Sequence, residues 1–303
     1  MRLQIAFVFG LIGLFFLSPT GLAEESSYTS KGSSSCETCH REPGIRSILN
    51  MPHGRAAAAR GYTEDHACET CHGPSANHLS GVFASKTMPP VVFGMKSRTP
   101  ASEQNDVCLT CHQGSKTMHW EGSPHEAEEV PCASCHTVHT PRDRALDRRS
   151  QADQCADCHR EVLISANRRS HHPMKEGQVI CSDCHNPHGS TGEALLTHTS
   201  GNENCYACHA ELRGPFLWEH APVRDDCSIC HTSHGSNQVA LLKARTPWLC
   251  QECHQENYHP SSLYSGTGLP GAGASPDLLG KDCMNCHPKV HGSNHPSGAR
   301  FTR

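Results

Sequence analysis

Apolar residues are distributed unevenly along the 303-residue chain. The one long apolar run extends from Ile5 to Leu17, and no later segment has the roughly 18 consecutive apolar residues of a membrane-spanning helix. The pattern predicts short helices at 55–60 and 152–169, and no segment shows sustained alternation of apolar and polar positions. We therefore expect mostly short α-helices and loops, with little or no β-structure.

Residues 1–23 have the pattern of a cleaved secretory signal peptide. Arg2 precedes the apolar run, and the small residues Gly21 and Ala23 suit a cleavage site before Glu24. A retained membrane anchor is the alternative, but the run is too short to span a bilayer comfortably. The sequence therefore predicts an exported mature chain.

Composition excludes an ordinary hydrophobic core. Aromatic residues make up 5% of the chain, and without the cysteines and the apolar run only roughly a quarter of the residues are apolar, well below the usual share. Such a chain cannot bury enough surface to offset the entropy lost on folding. We therefore expect something other than side chains to fill the interior.

All 20 cysteines lie in ten Cys-x-x-Cys-His motifs. This motif is the signature of covalent haem c attachment, since positions i, i+3 and i+4 share one helical face and so present two thiols and one imidazole together. The predicted thioether-forming residues are Cys36, Cys39, Cys68, Cys71, Cys108, Cys111, Cys132, Cys135, Cys155, Cys158, Cys181, Cys184, Cys205, Cys208, Cys227, Cys230, Cys250, Cys253, Cys283 and Cys286. The predicted proximal iron ligands are His40, His72, His112, His136, His159, His185, His209, His231, His254 and His287.

Two other interpretations of the cysteines explain less. A disulfide framework suits an exported protein but gives no reason for a histidine after every pair. Gaps such as Cys135 to Cys155 approach zinc-site spacings, yet zinc would not require that histidine either. The sequence therefore predicts ten covalently bound haem c groups.

The remaining histidines follow a repeat of five units, each holding two motifs. Every unit has a linker histidine between its motifs and a trailing histidine after its second motif. The predicted distal iron ligands are His53, His78, His125, His139, His171, His188, His220, His234, His259 and His291. His171 is favoured over His172 because His171-x-Pro173 matches His220-x-Pro222. His66, His119, His172, His198 and His295 are left over, with His295 as the alternative to His291.

Chain length limits which haem a trailing histidine can serve. His139 lies three residues beyond His136, too few to pass around the same porphyrin to its far face, and His188, His234 and His291 are placed alike. These ligands must cross to a neighbouring haem, although the sequence does not identify which one. The six methionines after the apolar segment follow no repeat, so we expect two histidines at every iron, no open iron and no catalytic residue.

The motifs divide evenly between an N-terminal half, 24–159, and a C-terminal half, 160–303, with five in each. Repeats that contact mainly their neighbours are expected to stack into an elongated rod. Segments 85–104 and 261–280 are rich in Pro, Gly and Ser, and are predicted to be surface loops. The net charge of −4, made more negative by haem propionates, disfavours nucleic acid as a partner.

Three stretches carry a family resemblance: 170–190, 213–236 and 283–298. They resemble the MtrA/DmsE family of periplasmic decahaem c-type cytochromes, and the likeness covers all ten motifs. The resemblance implies a multihaem cytochrome c fold wrapped around a chain of ten haems. It also implies a periplasmic protein that associates with the outer membrane through a β-barrel porin.

By the same resemblance, electrons would pass between the periplasm and the cell exterior. The implied partners are the porin, a surface multihaem cytochrome, and periplasmic or inner-membrane cytochromes that donate electrons. One alternative is a soluble periplasmic shuttle to a terminal reductase. Another is a multihaem enzyme such as a nitrite reductase-like protein, which would need an open iron that the balanced ligand set does not provide.

Overall fold

The computed structural model describes residues 27–61, 66–81, 87–254, 256–257, 259–260, 282–296 and 298–302. The predicted signal peptide and the 261–280 loop lie outside the described residues. The α-helices are α1 Ser33–Glu37, α2 Pro43–Arg46, α3 Pro52–Ala59, α4 Glu69–His72, α5 Ala76–Gly81, α6 Ala101–Leu109, α7 Pro124–Ala127, α8 Gln151–Ala156, α9 Arg160–Ala166, α10 Cys181–Cys184, α11 Gly201–Tyr206, α12 Ala221–Asp225 and α13 Trp248–Gln251.

Short 3-10 helices and one small hairpin complete the regular structure. The 3-10 helices are Ile48–Asn50, Ser115–Thr117, Cys132–Ser134, Glu193–Leu195, Ala210–Leu212, Cys227–Ile229, Val239–Leu241 and Cys283–Asn285. Strands β1 Glu256–Asn257 and β2 His259–Pro260 pair antiparallel. The expectation of short helices, loops and little β-structure is therefore confirmed. No helix among the described residues is long and apolar enough to cross a membrane.

The predicted helices are present with different limits. Helix α3 covers most of 55–60 and begins earlier, at Pro52, because proline is well suited to a first helical position. The segment 152–169 is interrupted at His159, where the fifth motif ends, and so forms α8 and α9. Within the predicted 85–104 loop, the described residues stay irregular until α6 begins at Ala101.

The described residues contain almost no apolar core. Five hydrophobic side chains are buried, namely Met51, Trp120, Ala166, Ile180 and Leu249, and no large side chain is completely enclosed. Buried polar residues outnumber them, including Glu69, Gln104 and Asn105. So little apolar burial cannot hold an assembly of short helices together. The expectation that side chains alone do not fill the interior is confirmed.

Polar side chains instead hold the two motifs of a unit side by side. The Asn105 side-chain oxygen accepts a hydrogen bond from the Cys132 backbone N–H at 2.7 Å, and Asn202 does the same for Cys227 at 2.8 Å. In both units the asparagine lies three residues before the first cysteine of the first motif. In the third unit the Gln151 side chain accepts from the Ser182 N–H at 2.9 Å. Each bond ties the helix of one motif to the start of the next motif.

Candidate functional site

Every motif forms a single helical turn. In all ten, the histidine backbone N–H donates to the carbonyl of the first cysteine, at 2.9 to 3.1 Å. The i, i+4 bond fixes the turn that brings both thiols and the imidazole to one face. Aspartates that directly precede two of the motifs help to begin this turn, since Asp226 and Asp282 accept from the N–H two residues later. The local geometry is therefore that expected for a two-thiol, one-imidazole site.

The first thiols of the two motifs in each unit lie in hydrogen-bond contact. The pairs are Cys36–Cys68, Cys108–Cys132, Cys155–Cys181, Cys205–Cys227 and Cys250–Cys283. The hydrogen bond from Cys36 lowers the pKa of the Cys68 thiol to about 6, and the one from Cys155 lowers that of Cys181 to about 7. No disulfide joins any of the 20 cysteines, so all of them are available for thioether bonds.

Second thiols connect one unit to the next. Cys71 interacts electrostatically with Cys108 and Cys111, and Cys135 with Cys158. Cys184 interacts with Cys205 and Cys208 in the same way, and Cys230 with Cys253. Together with the pairs inside units, these contacts make each motif the neighbour of the next, from the first to the tenth. The spatial order of the motifs is therefore their order in the sequence.

Nine proximal imidazoles each face one other imidazole, with ring centroids 5.8 to 6.5 Å apart. The pairs, proximal residue first, are His40–His78, His72–His139, His112–His53, His136–His188, His159–His125, His185–His234, His209–His172, His231–His291 and His254–His220. No group of three or more candidate metal ligands occurs in the described parts of the chain. The imidazoles of these nine pairs therefore lie two by two, without a third candidate ligand beside them among the described residues.

This spacing fits one iron atom between two imidazoles. Metal–nitrogen bonds of about 2 Å, plus roughly 1 Å from each nitrogen to its ring centre, place the two centroids about 6 Å apart. An imidazole on each side of the iron is the six-coordinate arrangement of haem. The cysteines of each motif then lie where thioether bonds to the porphyrin are needed. The residues present therefore fit haem c.

The pairing follows a rule that joins adjacent units in both directions. Each linker histidine faces the first motif of the following unit, as His125 faces His159. Each trailing histidine faces the second motif of the preceding unit, as His234 faces His185. The trailing histidine of the first unit departs from this rule, because His78 faces His40 of its own unit. His139, His188, His234 and His291 thus each lie opposite a motif histidine of the preceding unit, and their role as ligands of a neighbouring haem stays a prediction.

The structure differs from the sequence expectation at His171. His172, and not His171, lies opposite His209, while the His171 ring donates Nδ1–H to the Arg168 carbonyl at 2.5 Å. A recurring hydrogen bond of the linker histidines explains why His172, and not His171, takes this position. His125, His172 and His220 each donate Nδ1–H to the carbonyl just before a trailing histidine of the next unit, at 2.8 to 3.0 Å. These acceptors are distant in sequence, so matching His-x-Pro patterns could not identify them.

Burial favours the neutral form of four trailing imidazoles. Desolvation lowers the pKa of these four, namely His139, His188, His234 and His291. A neutral imidazole is the form that binds a metal. The Nδ1 atoms of His139 and His188 are buried without a hydrogen-bond partner.

A glycine follows three of the trailing histidines and lets adjacent units approach closely. Gly189, Gly235 and Gly292 have φ values of 107°, 150° and 135°. A Cβ at Gly235 would lie 2.0 Å from the Ser165 carbonyl oxygen of the preceding linker. Side chains other than hydrogen are therefore excluded there. The repeated His-Gly dipeptide is the sequence signal that identifies these contacts.

At the C-terminal end the structure distinguishes between His291 and its alternative, His295. His291 faces His231 at 6.0 Å, whereas the His295 carbonyl accepts a hydrogen bond from the Trp218 indole at 3.0 Å. His287 donates Nδ1–H to the Arg300 carbonyl at 2.5 Å. The side chain of His259 lies outside the described residues, so the tenth facing pair stays a prediction.

Glu69 is a site that the sequence did not indicate. Its buried carboxylate accepts from the Thr29 N–H and hydroxyl at 3.0 Å and from the Ser75 N–H at 2.9 Å, and it contacts the His66 ring at 2.9 Å. Burial raises the pKa of this carboxyl, but the hydrogen bonds outweigh burial and hold the pKa below its usual value. Hydrogen bonds to Glu69, which lies between the two cysteines of the second motif, therefore hold the N-terminal end of the first unit together.

Two family models match parts of the chain. A model described as the doubled CXXCH motif matches residues 171–214 and 220–259, and a model of NrfB-like c-type cytochrome proteins matches residues 68–158. With the motif geometry, these matches define a multihaem c-type cytochrome. The chain binds about ten haem c groups covalently, as the 20 cysteines in paired motifs require.

The chain belongs to the MtrA family of multihaem cytochromes. It is 44% identical over 282 residues to the multiheme cytochrome MtrA of Shewanella baltica, covering 92% of this chain and 84% of that protein. It is also 37% identical over 100 residues to the cytochrome c-type protein NrfB of Haemophilus influenzae, covering 31% of this chain and 44% of the relative. Its function is accordingly electron transfer.

Proposed function

We propose that the chain carries electrons over a long distance along ten sites, each holding iron between two histidines. The observation that carries this proposal is the set of nine facing imidazole pairs at the spacing of one iron atom. Haem c, when bound, supplies one-electron exchange at its iron. With both axial positions taken by imidazoles, no position remains for a substrate.

Each residue then has one role. The two cysteines of every motif form thioethers, and the histidine of the motif is the proximal ligand. We assign the distal positions to His53, His78, His125, His139, His172, His188, His220, His234, His259 and His291. His172 replaces His171 in this set because it faces His209. His259 is assigned to His287 because the other nine motif histidines each already face another of these distal histidines.

The neighbour order of the motifs supports conduction from one end of the row to the other. Thiols of consecutive motifs influence each other's pKa both within a unit and between units, with no motif passed over. Facing pairs such as His125–His159 and His136–His188 cross between the second and third units. We therefore propose that the halves 24–159 and 160–303 differ only in position and do not fold separately.

We further propose that this row connects the periplasm with the cell exterior through an outer-membrane β-barrel porin. Residues 1–23 would direct export, cytochromes of the periplasm or inner membrane would donate electrons, and a surface multihaem cytochrome would accept them. Membership of the MtrA family supports this arrangement. Nucleic acid is not an expected partner of so acidic a holoprotein.

Spectroscopy of the purified holoprotein tests the ligand assignment. We expect ten haems per chain, all low-spin in the ferric state. A high-spin ferric signal equal to one whole haem would contradict the assignment and indicate an open iron. Fractionation tests the partner separately: recovery with a β-barrel protein from outer membranes is expected, and recovery only in the soluble periplasmic fraction would favour the shuttle.

A further inference from the structure

In all five units the proximal imidazole of the second motif donates a hydrogen bond, and in four of them the acceptor is a backbone carbonyl. His72, His185, His231 and His287 each donate Nδ1–H to a backbone carbonyl, those of Val91, Ala194, Ala240 and Arg300, at 2.5 to 2.9 Å. The fourth motif is different. The His136 ring donates to the Asp143 carboxylate oxygen Oδ2 at 2.6 Å. One site among the five therefore has a charged acceptor in place of a neutral one.

The local sequence explains this exception. In the third and fourth units the trailing histidine is followed by Gly-Ser, and the acceptor alanines have φ values of 49° and 51°, which turn their carbonyls toward the proximal ring. In the second unit Thr140-Pro141 stands in place of Gly-Ser. Asp143, seven residues after His136, then lies beside the ring. Its carboxylate takes the position that a backbone carbonyl has in the third and fourth units.

The carboxylate is held firmly against the imidazole. Its other oxygen, Oδ1, accepts from the Ala145 N–H at 3.0 Å. The Asp143 side chain is 16% exposed and that of His136 is 31% exposed, so solvent screens the contact only partly. Asp143 forms no ion pair with lysine or arginine in the parts of the chain that the structure describes. The His136 ring is therefore its nearest ionisable partner, and its charge also acts on His53.

The site of the second motif, at His72, can be compared with that of the fourth motif, at His136. The distal imidazoles that face His72 and His136 are His139 and His188, and both have a buried Nδ1 without a partner. Both proximal rings donate one Nδ1 hydrogen bond, to a carbonyl at His72 and to a carboxylate at His136. The two sites thus share the state of the distal Nδ1 and differ in the charge of the proximal acceptor.

We propose that Asp143 is a positioning residue that lowers the reduction potential of the fourth site below those of the second, sixth, eighth and tenth sites. A carboxylate that accepts a proton from a ligating imidazole increases the basicity of that imidazole. A more basic ligand stabilises the ferric state, which carries one more positive charge than the ferrous state. The fourth site is thus the most reducing of the five. This inference rests on His136 being an axial ligand, as proposed above.

The experiment is a potentiometric titration of the holoprotein, followed by absorption and by EPR of frozen samples. Asp143→Asn removes the charge in a side chain of the same shape. Asp147→Asn is the matched control, because Asp147 lies in the same loop and its side chain accepts a hydrogen bond from the Arg149 N–H and lies against no proposed iron ligand that the structure describes. Asp143→Glu restores the charge.

In Asp143→Asn we expect one haem of ten to move to higher potential, by roughly tenfold in its reduced-to-oxidised ratio at fixed potential, or 59 mV for one electron. Asp147→Asn should leave all ten unchanged, and Asp143→Glu should return most of the shift. No shift in Asp143→Asn, or an equal shift in Asp147→Asn, would overturn the proposal.

The wild-type protein gives a second readout if Asp143→Asn fails to acquire ten haems. One low-spin ferric EPR signal should show the stronger axial field of an imidazole with imidazolate character, and should be among the last to lose intensity on reduction. Uniform signals would overturn the inference about Asp143. A high-spin signal would instead overturn the ligand assignment on which it rests, so the two failures are distinguishable.

Discussion

The interior units and the N-terminal unit use the same residues in different ways. In the third and fourth units the linker and trailing histidines face motifs of adjacent units, as His172 faces His209 and His234 faces His185. In the first unit the trailing His78 faces His40 of its own unit, and Glu69 closes that end with hydrogen bonds to Thr29 and Ser75. The interior units are therefore joined by histidines that face across units, whereas the end is closed by local contacts.

The largest expected effect comes from removing an interior cross-unit histidine. His125 faces His159 and donates to the Pro187 carbonyl, so it joins the second unit to the third twice. Because iron binding is coupled to folding, His125→Ala should destabilise the holoprotein by several kcal/mol. Thermal unfolding followed by circular dichroism measures this.

His78→Ala is the matched end variant. His78 contacts only its own unit, through His40 and the Thr87 carbonyl. It should disturb one haem and lower the unfolding temperature much less. Equal losses in the two variants would contradict the distinction between interior and end.

A smaller effect, confined to one site, is expected from substitutions at the adjacent histidines of the third unit. His172→Ala should convert one haem of ten to high spin, because the ring facing His209 is lost. His171→Ala should leave all ten low-spin, because His171 is engaged with the Arg168 carbonyl. Absorption and EPR spectra of the ferric proteins measure this, and the reverse outcome would restore the His-x-Pro register.

Much of this arrangement could be predicted from sequence because covalent chemistry dictates it. The ten motifs and the need for trailing histidines to cross to a neighbour follow from fixed spacings and short chain reach. The scarcity of buried apolar residues was likewise visible in the composition. These features depend on residues close together along the chain.

The remaining features depend on contacts between distant residues. The choice of His172 depends on the Ser233 carbonyl, 61 residues away, and the buried Glu69 depends on Thr29, 40 residues away. Asp143 takes the position of a backbone carbonyl. Because any residue type can supply a backbone carbonyl, the sequence does not show which acceptor the other sites have, and Asp143 could not be recognised as an exception. Local pattern could not reveal any of these three.

The close approach of interior units predicts a moderate loss of stability at one glycine. In Gly235→Ala the new Cβ would lie 2.0 Å from the Ser165 carbonyl oxygen, at a φ of 150°. Strain and overpacking of this kind cost about 1–3 kcal/mol. Gly201→Ala is the control, since nothing lies within 4 Å of its Cβ position. Denaturant unfolding of both holoproteins measures the difference, and equal midpoints would show that the units do not approach as closely as described.

The smallest effect is expected at the N-terminal end, where Glu69→Gln should loosen local structure without changing the interior units. The amide cannot accept all the hydrogen bonds that the buried carboxylate accepts from Thr29, Ser75 and His66. Hydrogen exchange at these residues should increase, while Glu42→Gln, at an exposed carboxylate of the same unit whose side chain makes no capping hydrogen bond to a helix, should have no effect. The pKa of Glu69 is held below its usual value, so the wild-type contact is fully formed above the pKa of the unfolded carboxyl. It is lost as the pH falls through the lower pKa of the folded state. Glu69→Gln should therefore show no such acid-induced loosening at this end, and an unchanged acid response would mean that another group controls it.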